Sequence, residues 1–121
     1  MESFEILKIA ANALNNKKAM QLEAIYIEEI SDLADYFVIC TATSNAHIRA
    51  LADAVEEKLK EAGVLPDHIE GKASDWLLLD YGTVVIHIFG RASREFYALE
   101  HMWNDGEQVN LSEILDLTLE G

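Results

Sequence analysis

The sequence predicts an α+β fold of two layers, in which a mixed β-sheet carries helices on one face. Three segments repeat apolar residues every three to four positions, as the buried side of a helix does. Several shorter segments alternate or are apolar throughout, as strands do, and a glycine turn joins two of them. The 121 residues suit one domain, 1–121, in which 105–121 form an acidic C-terminal tail.

The first half of the chain predicts a helix, two strands and a second helix. Residues 3–15 carry one apolar stripe and precede two lysines, which suit a helix C-terminus. Residues 21–28 alternate as a strand does, whereas 36–41 are apolar almost throughout, which favours a central strand covered on both faces. Ser44 is the expected N-cap of a long helix that ends near Gly63.

The second half predicts a short strand, a hairpin and a last helix. Residues 65–70 favour the short strand, and two apolar segments within 74–89 form the hairpin. A helix over 94–103 follows from the spacing of its large apolar residues. The acidic tail has a few apolar residues that favour one further weak helix or strand.

The hairpin separates two kinds of side chain, because residues alternate between the faces of a strand. A two-residue turn at Tyr81–Gly82 pairs Trp76 with His87. One face is then purely aliphatic and suited to packing under helices: Leu77, Leu79, Val84, Ile86 and Ile88. The other mixes large apolar and polar groups and is expected to stay at least partly open: Trp76, Leu78, Asp80, Thr83, Val85, His87 and Phe89.

Charge limits the classes of partner. Nine basic and 22 acidic side chains give a net charge of −13, which repels phosphate backbones, so extensive direct contact with RNA or DNA is not expected. The acidity either serves solubility alone or complements a basic protein partner. No apolar run approaches the length of a membrane span. The single cysteine, Cys40, lies in an apolar run, which suits a reducing cytoplasm.

Enzymatic chemistry has little support in the sequence. No metal-ligand spacing and no phosphate-binding glycine motif occurs, so no metal or cofactor is expected. Ser44, His47 and Asp53 all lie on one predicted helix, so they cannot converge as a catalytic triad. The remaining alternative is a metal-dependent nucleotidyl or phosphoryl transferase using Asp32 and Asp35, although their spacing does not place both on one strand face.

The mixed hairpin face has the composition of a protein-binding surface. It combines large aromatic side chains, which bury much area on binding, with a few polar groups. Its residues are Trp76 and His87, flanked by Leu78, Asp80 and Tyr81. The ordinary alternative is that Trp76 simply covers the core, as most tryptophans do. Composition alone leaves both interpretations open.

Several motifs in order resemble the ribosomal silencing factor family (RsfS, also called Iojap or YbeB) over roughly residues 3 to 111. They are Asp35-Tyr-Phe-Val-Ile39, Thr41-Ala-Thr-Ser44 with His47, Ala52-Asp-Ala-Val55, Glu70-Gly71, Trp76-Leu-Leu-Leu-Asp-Tyr-Gly82, Val84-Val-Ile-His-Ile-Phe89, Arg94-Glu-Phe-Tyr-Ala-Leu-Glu100 and Trp103. The sequence departs from the family at Thr41-Ala42-Thr43, where Thr-Gly is usual, and at Ser74-Asp75, where Gly-Glu is common.

The resemblance implies a nucleotidyltransferase-like fold without transferase activity. It implies a cytoplasmic translational repressor that docks on protein fourteen of the large ribosomal subunit and blocks joining of the small subunit, with a further role in subunit assembly and a tendency to form homodimers. The family's hairpin motif falls on Trp76, Leu78, Asp80, Tyr81 and His87. A binding module for some other basic protein is the second alternative.

Overall fold

The computed structural model describes residues 1–29, 32, 34–71, 75–90 and 106–115. Within them the elements are the helices α1 (Ser3–Asn16) and α2 (Asn45–Glu61), the strands β1 (Met20–Tyr26), β2 (Tyr36–Thr41), β3 (His68–Glu70), β4 (Trp76–Asp80), β5 (Val84–Phe89) and β6 (Glu107–Gln108), and a 3₁₀ helix at Leu111–Glu113. The α+β prediction is confirmed. The predicted helix over 94–103 lies outside the described residues.

The described strands form one mixed sheet in the order β3-β4-β5-β2-β1-β6. Strands β2 and β5 run parallel at its centre, and every other neighbouring pair is antiparallel. The apolar run of β2 therefore lies between two neighbours, as predicted. β1 contains an irregularity between Met20 and Glu23, where Gln21 has a φ of 51°, and this bulge is absent from the simple alternation that predicted the strand.

Both described helices pack on the same face of the sheet. Their apolar sides and the alternate residues of the strands form one continuous cluster, the helix-side core, whose largest fully buried members include Leu7, Leu51 and Ile86. Ser44 caps α2 as predicted, because its Oγ accepts a hydrogen bond of 3.1 Å from the backbone N–H of His47. His47 also joins the two helices, with its Nδ1 accepting from the Thr43 N–H and its Nε2 2.9 Å from the Lys17 carbonyl oxygen.

A second buried cluster lies on the opposite face of the sheet. We call it the second-face cluster; its buried members are Ile25, Ile27, Ala34, Phe37, Ile39, Val85 and Phe89, with Trp76 and Leu78 packed against it. In the hairpin, Leu79 and Ile86 join the helix-side core, whereas Val85 and Phe89 join this cluster, and Phe37 and Ile39 of β2 alternate with Val38 and Cys40 in the same way. The alternation that predicted two faces for the hairpin is therefore confirmed.

The acidic tail returns to the beginning of the chain. Two residues of β6 pair with the end of β1, and Ile114 enters the helix-side core with 4% of its surface exposed. The Asn12 side-chain amide donates a 2.9 Å hydrogen bond to the Ile114 carbonyl oxygen. The predicted weak element is thus a two-residue strand followed by a 3₁₀ turn.

Candidate protein-binding face

The hairpin turn lies one residue later than predicted. The Tyr81 N–H donates to the Val84 carbonyl oxygen at 2.9 Å, so Gly82 and Thr83 are the two turn residues. Asp80 explains this position, because its Oδ1 accepts a 2.8 Å bond from the Gly82 N–H, and Gly82 has a φ of 84° that favours glycine. The prediction that Trp76 pairs with His87 is wrong: His87 pairs with Leu78. Moving a turn by one residue shifts the register by two, which leaves both faces unchanged.

β4 places Trp76, Leu78 and Asp80 in a row on one face, each partly exposed, while the residues between them are buried. The neighbouring strand β3 extends this row, since Glu70 lies beside Leu78 and His68 beside Asp80. Both β3 residues are exposed, and His68 Nε2 lies 2.6 Å from Glu70 Oε2. We call these five residues the β3–β4 row. His68 and Glu70 were not predicted as surface residues of this face, although the short strand that carries them was predicted.

Trp76 is held in place by other aromatic rings. Its indole N–H donates to Nδ1 of His87 at 3.2 Å, and the two rings stack at 5.8 Å between centroids. Phe89 stacks on the indole at 5.4 Å, and Phe37 lies 4.8 Å from the imidazole. An aromatic side chain fixed in this way loses little further conformational freedom when it binds a partner.

His87 contacts Trp76 of the β3–β4 row from the buried side. It lies on the mixed face as predicted, but its expected role as a contact residue does not fit its burial, because only 5% of its surface is exposed. Burial lowers the pKa of His87 to about 4, so the imidazole is neutral near pH 7. Nδ1 accepts from Trp76, which leaves the proton on Nε2, and Nε2 finds no hydrogen-bond partner among the described residues. His87 therefore positions Trp76 and does not offer a contact surface.

Tyr81 was also predicted to belong to the binding surface, and the structure contradicts that placement. Because it pairs with Val84 and alternates with Asp80, it points towards the helices and joins the helix-side core with 6% of its surface exposed. Burial, together with the nearby Glu56 carboxylate, raises its pKa to about 12. Tyr81 was predicted to be a turn residue, but the pairing of the two strands extends to it, and this fixes its side chain on the helix side.

The carboxylates of the enzymatic alternative are not assembled into a metal site by the described residues. Asp35 Oδ2 accepts a 2.5 Å hydrogen bond from Ser3 Oγ, which joins the start of β2 to the start of α1. Asp32 is exposed. Within the described ranges no group of three or more His, Cys, Asp or Glu side chains is placed to hold a metal ion. In the same ranges no helix has the length and apolarity to cross a bilayer.

Comparison with known proteins identifies the family. The family model described as ribosomal silencing factor during starvation, RsfS, matches residues 1–120. The chain belongs to the RsfS family. The ribosomal silencing factor RsfS of Halalkalibacterium halodurans is 35% identical over 95% of this chain and 99% of its own length. The one from Bacillus subtilis is 38% identical over 92% of this chain and 95% of its own length.

A solved RsfS-like structure has the same fold. A crystal structure of a protein from Chromobacterium violaceum, 37% identical in sequence, matches with a TM-score of 0.82 over 86% of this chain and 88% of its own. A more distant RsfS relative from mouse, called mitochondrial assembly of ribosomal large subunit protein 1, is 33% identical over 80% of this chain and 44% of its own length. The resemblance to the RsfS family inferred from the sequence motifs is therefore confirmed.

Proposed function

We propose that this member of the RsfS family represses translation by binding protein fourteen of the large ribosomal subunit through the β3–β4 row. The observation that carries the proposal is the partly exposed Trp76, stacked on His87 and Phe89 beside Leu78. The relatives are named ribosomal silencing factors, and the mouse relative is named for assembly of the large subunit. These names support a large-subunit partner.

The row has the chemistry of a protein contact. Trp76 and Leu78 supply the apolar centre, and a pre-positioned tryptophan is the residue type most often found at binding hot spots. Asp80 and Glu70 lie at its side, where carboxylates can pair with basic residues of a ribosomal protein. The net charge of −13 opposes direct contact with rRNA and supports a protein partner.

In this proposal repression is steric and needs no catalysis. A contact of ordinary size, about 800 Å² on each partner, places a whole folded domain on the subunit surface. If that surface is the one that meets the small subunit, occupancy alone prevents joining. We propose accordingly that the protein is not an enzyme, acts in the cytoplasm without a cofactor and also accompanies large-subunit assembly. Formation of a homodimer is part of the same proposal.

Trp76→Ala tests the binding surface. We expect it to weaken binding to purified large subunits by about 2 kcal/mol, as a hot-spot truncation does. The measurement is co-sedimentation of the variant with large subunits over a range of subunit concentrations. Phe4→Ala is the matched control, because Phe4 is an apolar residue of α1 with 46% of its surface exposed, outside the β3–β4 row.

Circular dichroism and thermal unfolding establish that both variants fold. A folded Trp76→Ala variant that sediments like the unchanged protein would exclude the β3–β4 row as the contact. The steric part is tested separately, by adding the protein to purified small and large subunits and measuring 70S formation by light scattering. If the subunits still join when every large subunit carries the protein, the proposed steric block is wrong. The proposed binding surface would be unaffected by that result.

A further inference from the structure

A concave site separate from the β3–β4 row lies at the other end of the sheet. It is a pocket of about 500 Å³ whose lining includes Tyr26, Tyr36, Glu107 and Glu113. It lies where β1, β2, β6 and the 3₁₀ helix meet. None of its lining residues is a lysine or an arginine.

The strand register brings the pocket's main groups together. Tyr26 pairs with Tyr36 on β2 and with Glu107 on β6, so the three side chains lie next to one another on one face. The two phenol rings are 5.2 Å apart between centroids and tilted by 57°. Asn110 caps the 3₁₀ helix that carries Glu113, with its Oδ1 accepting from the Ser112 N–H at 3.1 Å. The pocket is therefore built from paired and capped backbone.

Negative charge surrounds the two rings. The hydrogen bond that the Tyr26 hydroxyl donates to Glu28 is the main cause that raises the pKa of Tyr26 to about 12. Burial first, and then the carboxylates of Asp35, Glu28 and Glu107, raise the pKa of Tyr36. Both rings thus remain neutral phenols near pH 7, with electron-rich faces bordered by carboxylates.

We propose that this pocket, which we call the tyrosine pocket, receives an arginine side chain from a basic protein partner. A guanidinium group stacks on aromatic faces, and its planar fork suits carboxylate oxygens. Glu107 and Glu113 supply the carboxylates, while Tyr26 and Tyr36 supply the rings. An anionic ligand is repelled here. A basic partner complements the pocket better than a second copy of this chain, in which 22 acidic side chains outnumber nine basic ones, so the homodimer proposed above would use another surface.

The tyrosine pocket is distinct from the β3–β4 row. Tyr36 packs against the helix-side core, whereas Trp76 packs against the second-face cluster on the opposite face. β1 and β6 also stand at the far end of the strand order from β3 and β4. The inference goes beyond the proposed function, and its test uses no ribosomes, so either proposal can fail while the other stands.

The probe is N-acetyl-arginine methylamide, titrated into the isotope-labelled protein and followed by NMR at low ionic strength. N-acetyl-citrulline methylamide serves as the neutral isostere. We expect saturable shifts centred on the ring signals of Tyr26 and Tyr36 with the arginine compound and none with citrulline. Shifts that rise without saturation and spread evenly over the acidic surface would overturn the proposal.

Charge variants separate the pocket from general acidity. Glu107→Gln combined with Glu113→Gln should weaken arginine binding by about tenfold, which corresponds to the loss of about 1.4 kcal/mol. Asp53→Asn combined with Glu57→Gln removes the same charge from exposed positions of α2 and should leave the affinity unchanged. Equal weakening by both pairs would show that only net charge matters and would overturn the proposal.

Ring variants test the stacking. Tyr26→Phe keeps the aromatic face and should retain binding within about twofold, whereas Tyr26→Leu should lose most of it because cation–π attraction needs the ring. The backbone amide spectrum reports whether each variant keeps the fold. Equal binding by folded Phe and Leu variants would remove the ring from the site and contradict the proposal.

Discussion

The two faces of the sheet are both buried, yet they are built differently. The helix-side core is mainly aliphatic and joins the strands to α1 and α2. The second-face cluster is smaller and holds Phe37 and Phe89, with the buried His87 among them and Trp76 and Leu78 only partly covered. Burial alone therefore does not distinguish a purely structural face from the proposed binding face. What separates them is the partly exposed row that the second face supports.

The largest expected effect lies on the helix side. Leu51→Ala removes a side chain with no exposed surface from the contact between α2 and the sheet. We expect the free energy of unfolding to fall by about 3 to 4 kcal/mol, from lost burial and the cavity left behind. Urea denaturation measures it. A loss below about 1 kcal/mol would contradict the close packing described for this face.

The second-face cluster should make stability depend on pH. The pKa of His87 is about 4 in the folded protein and 6.5 in an ordinary setting, so the unfolded chain binds a proton first. The free energy of unfolding is then unaffected above about pH 7, falls as pH drops from 6.5 towards 4, and loses about 3 kcal/mol in all. Urea denaturation across that range measures the effect.

Carboxylates also titrate near pH 4, so a variant is needed to isolate the imidazole. His87→Leu keeps a side chain of similar volume and should flatten the curve between pH 6.5 and 5. Ile86→Val on the helix side is the control, because it removes no titratable group and should shift the curve without changing its shape. Identical pH curves for the unchanged protein and the folded His87→Leu variant would contradict the assigned cause.

The smallest expected effect on stability comes from a buried polar atom on the helix side. The Tyr81 hydroxyl, like His87 Nε2, is buried without a hydrogen-bond partner among the described residues. Tyr81→Phe removes it while keeping the ring, so stability should rise by up to about 1 kcal/mol. Thermal unfolding monitored by circular dichroism checks the sign. A clear loss of stability would indicate that the hydroxyl has a favourable partner.

The sequence was sufficient for the parts of the fold that local pattern determines. The helical stripes, the Ser44 cap and the alternation of β4 and β5 are confirmed because each depends on neighbours a few residues away. Trp76, Leu78 and Asp80 were placed on the correct face for the same reason. The family also followed from ordered motifs that span most of the chain.

The remaining details depend on distant contacts. The turn position was wrong because the Asp80 side chain, bonded to the Gly82 N–H, selects between two adjacent turns. As a result, the Tyr81 side chain points towards the helices and not towards the predicted binding surface. The burial of His87 depends on rings from other strands, such as Phe37 of β2 and Trp76 of β4, which its own strand does not encode. The pairing of β6 with β1 spans about eighty residues, and a two-residue strand has no pattern to detect.

The hydrogen bond from Asn12 to Ile114 joins residues 102 positions apart. During synthesis the first helix leaves the ribosome long before Ile114 is made, and the edge of the sheet at β1 has no partner from β6 until residues 107 and 108 have emerged. The pairing of β1 with β6 therefore forms late compared with α1. Shortening the chain before residue 107 would leave β1 as an unprotected edge, which is the kind of strand that recruits other chains into aggregates.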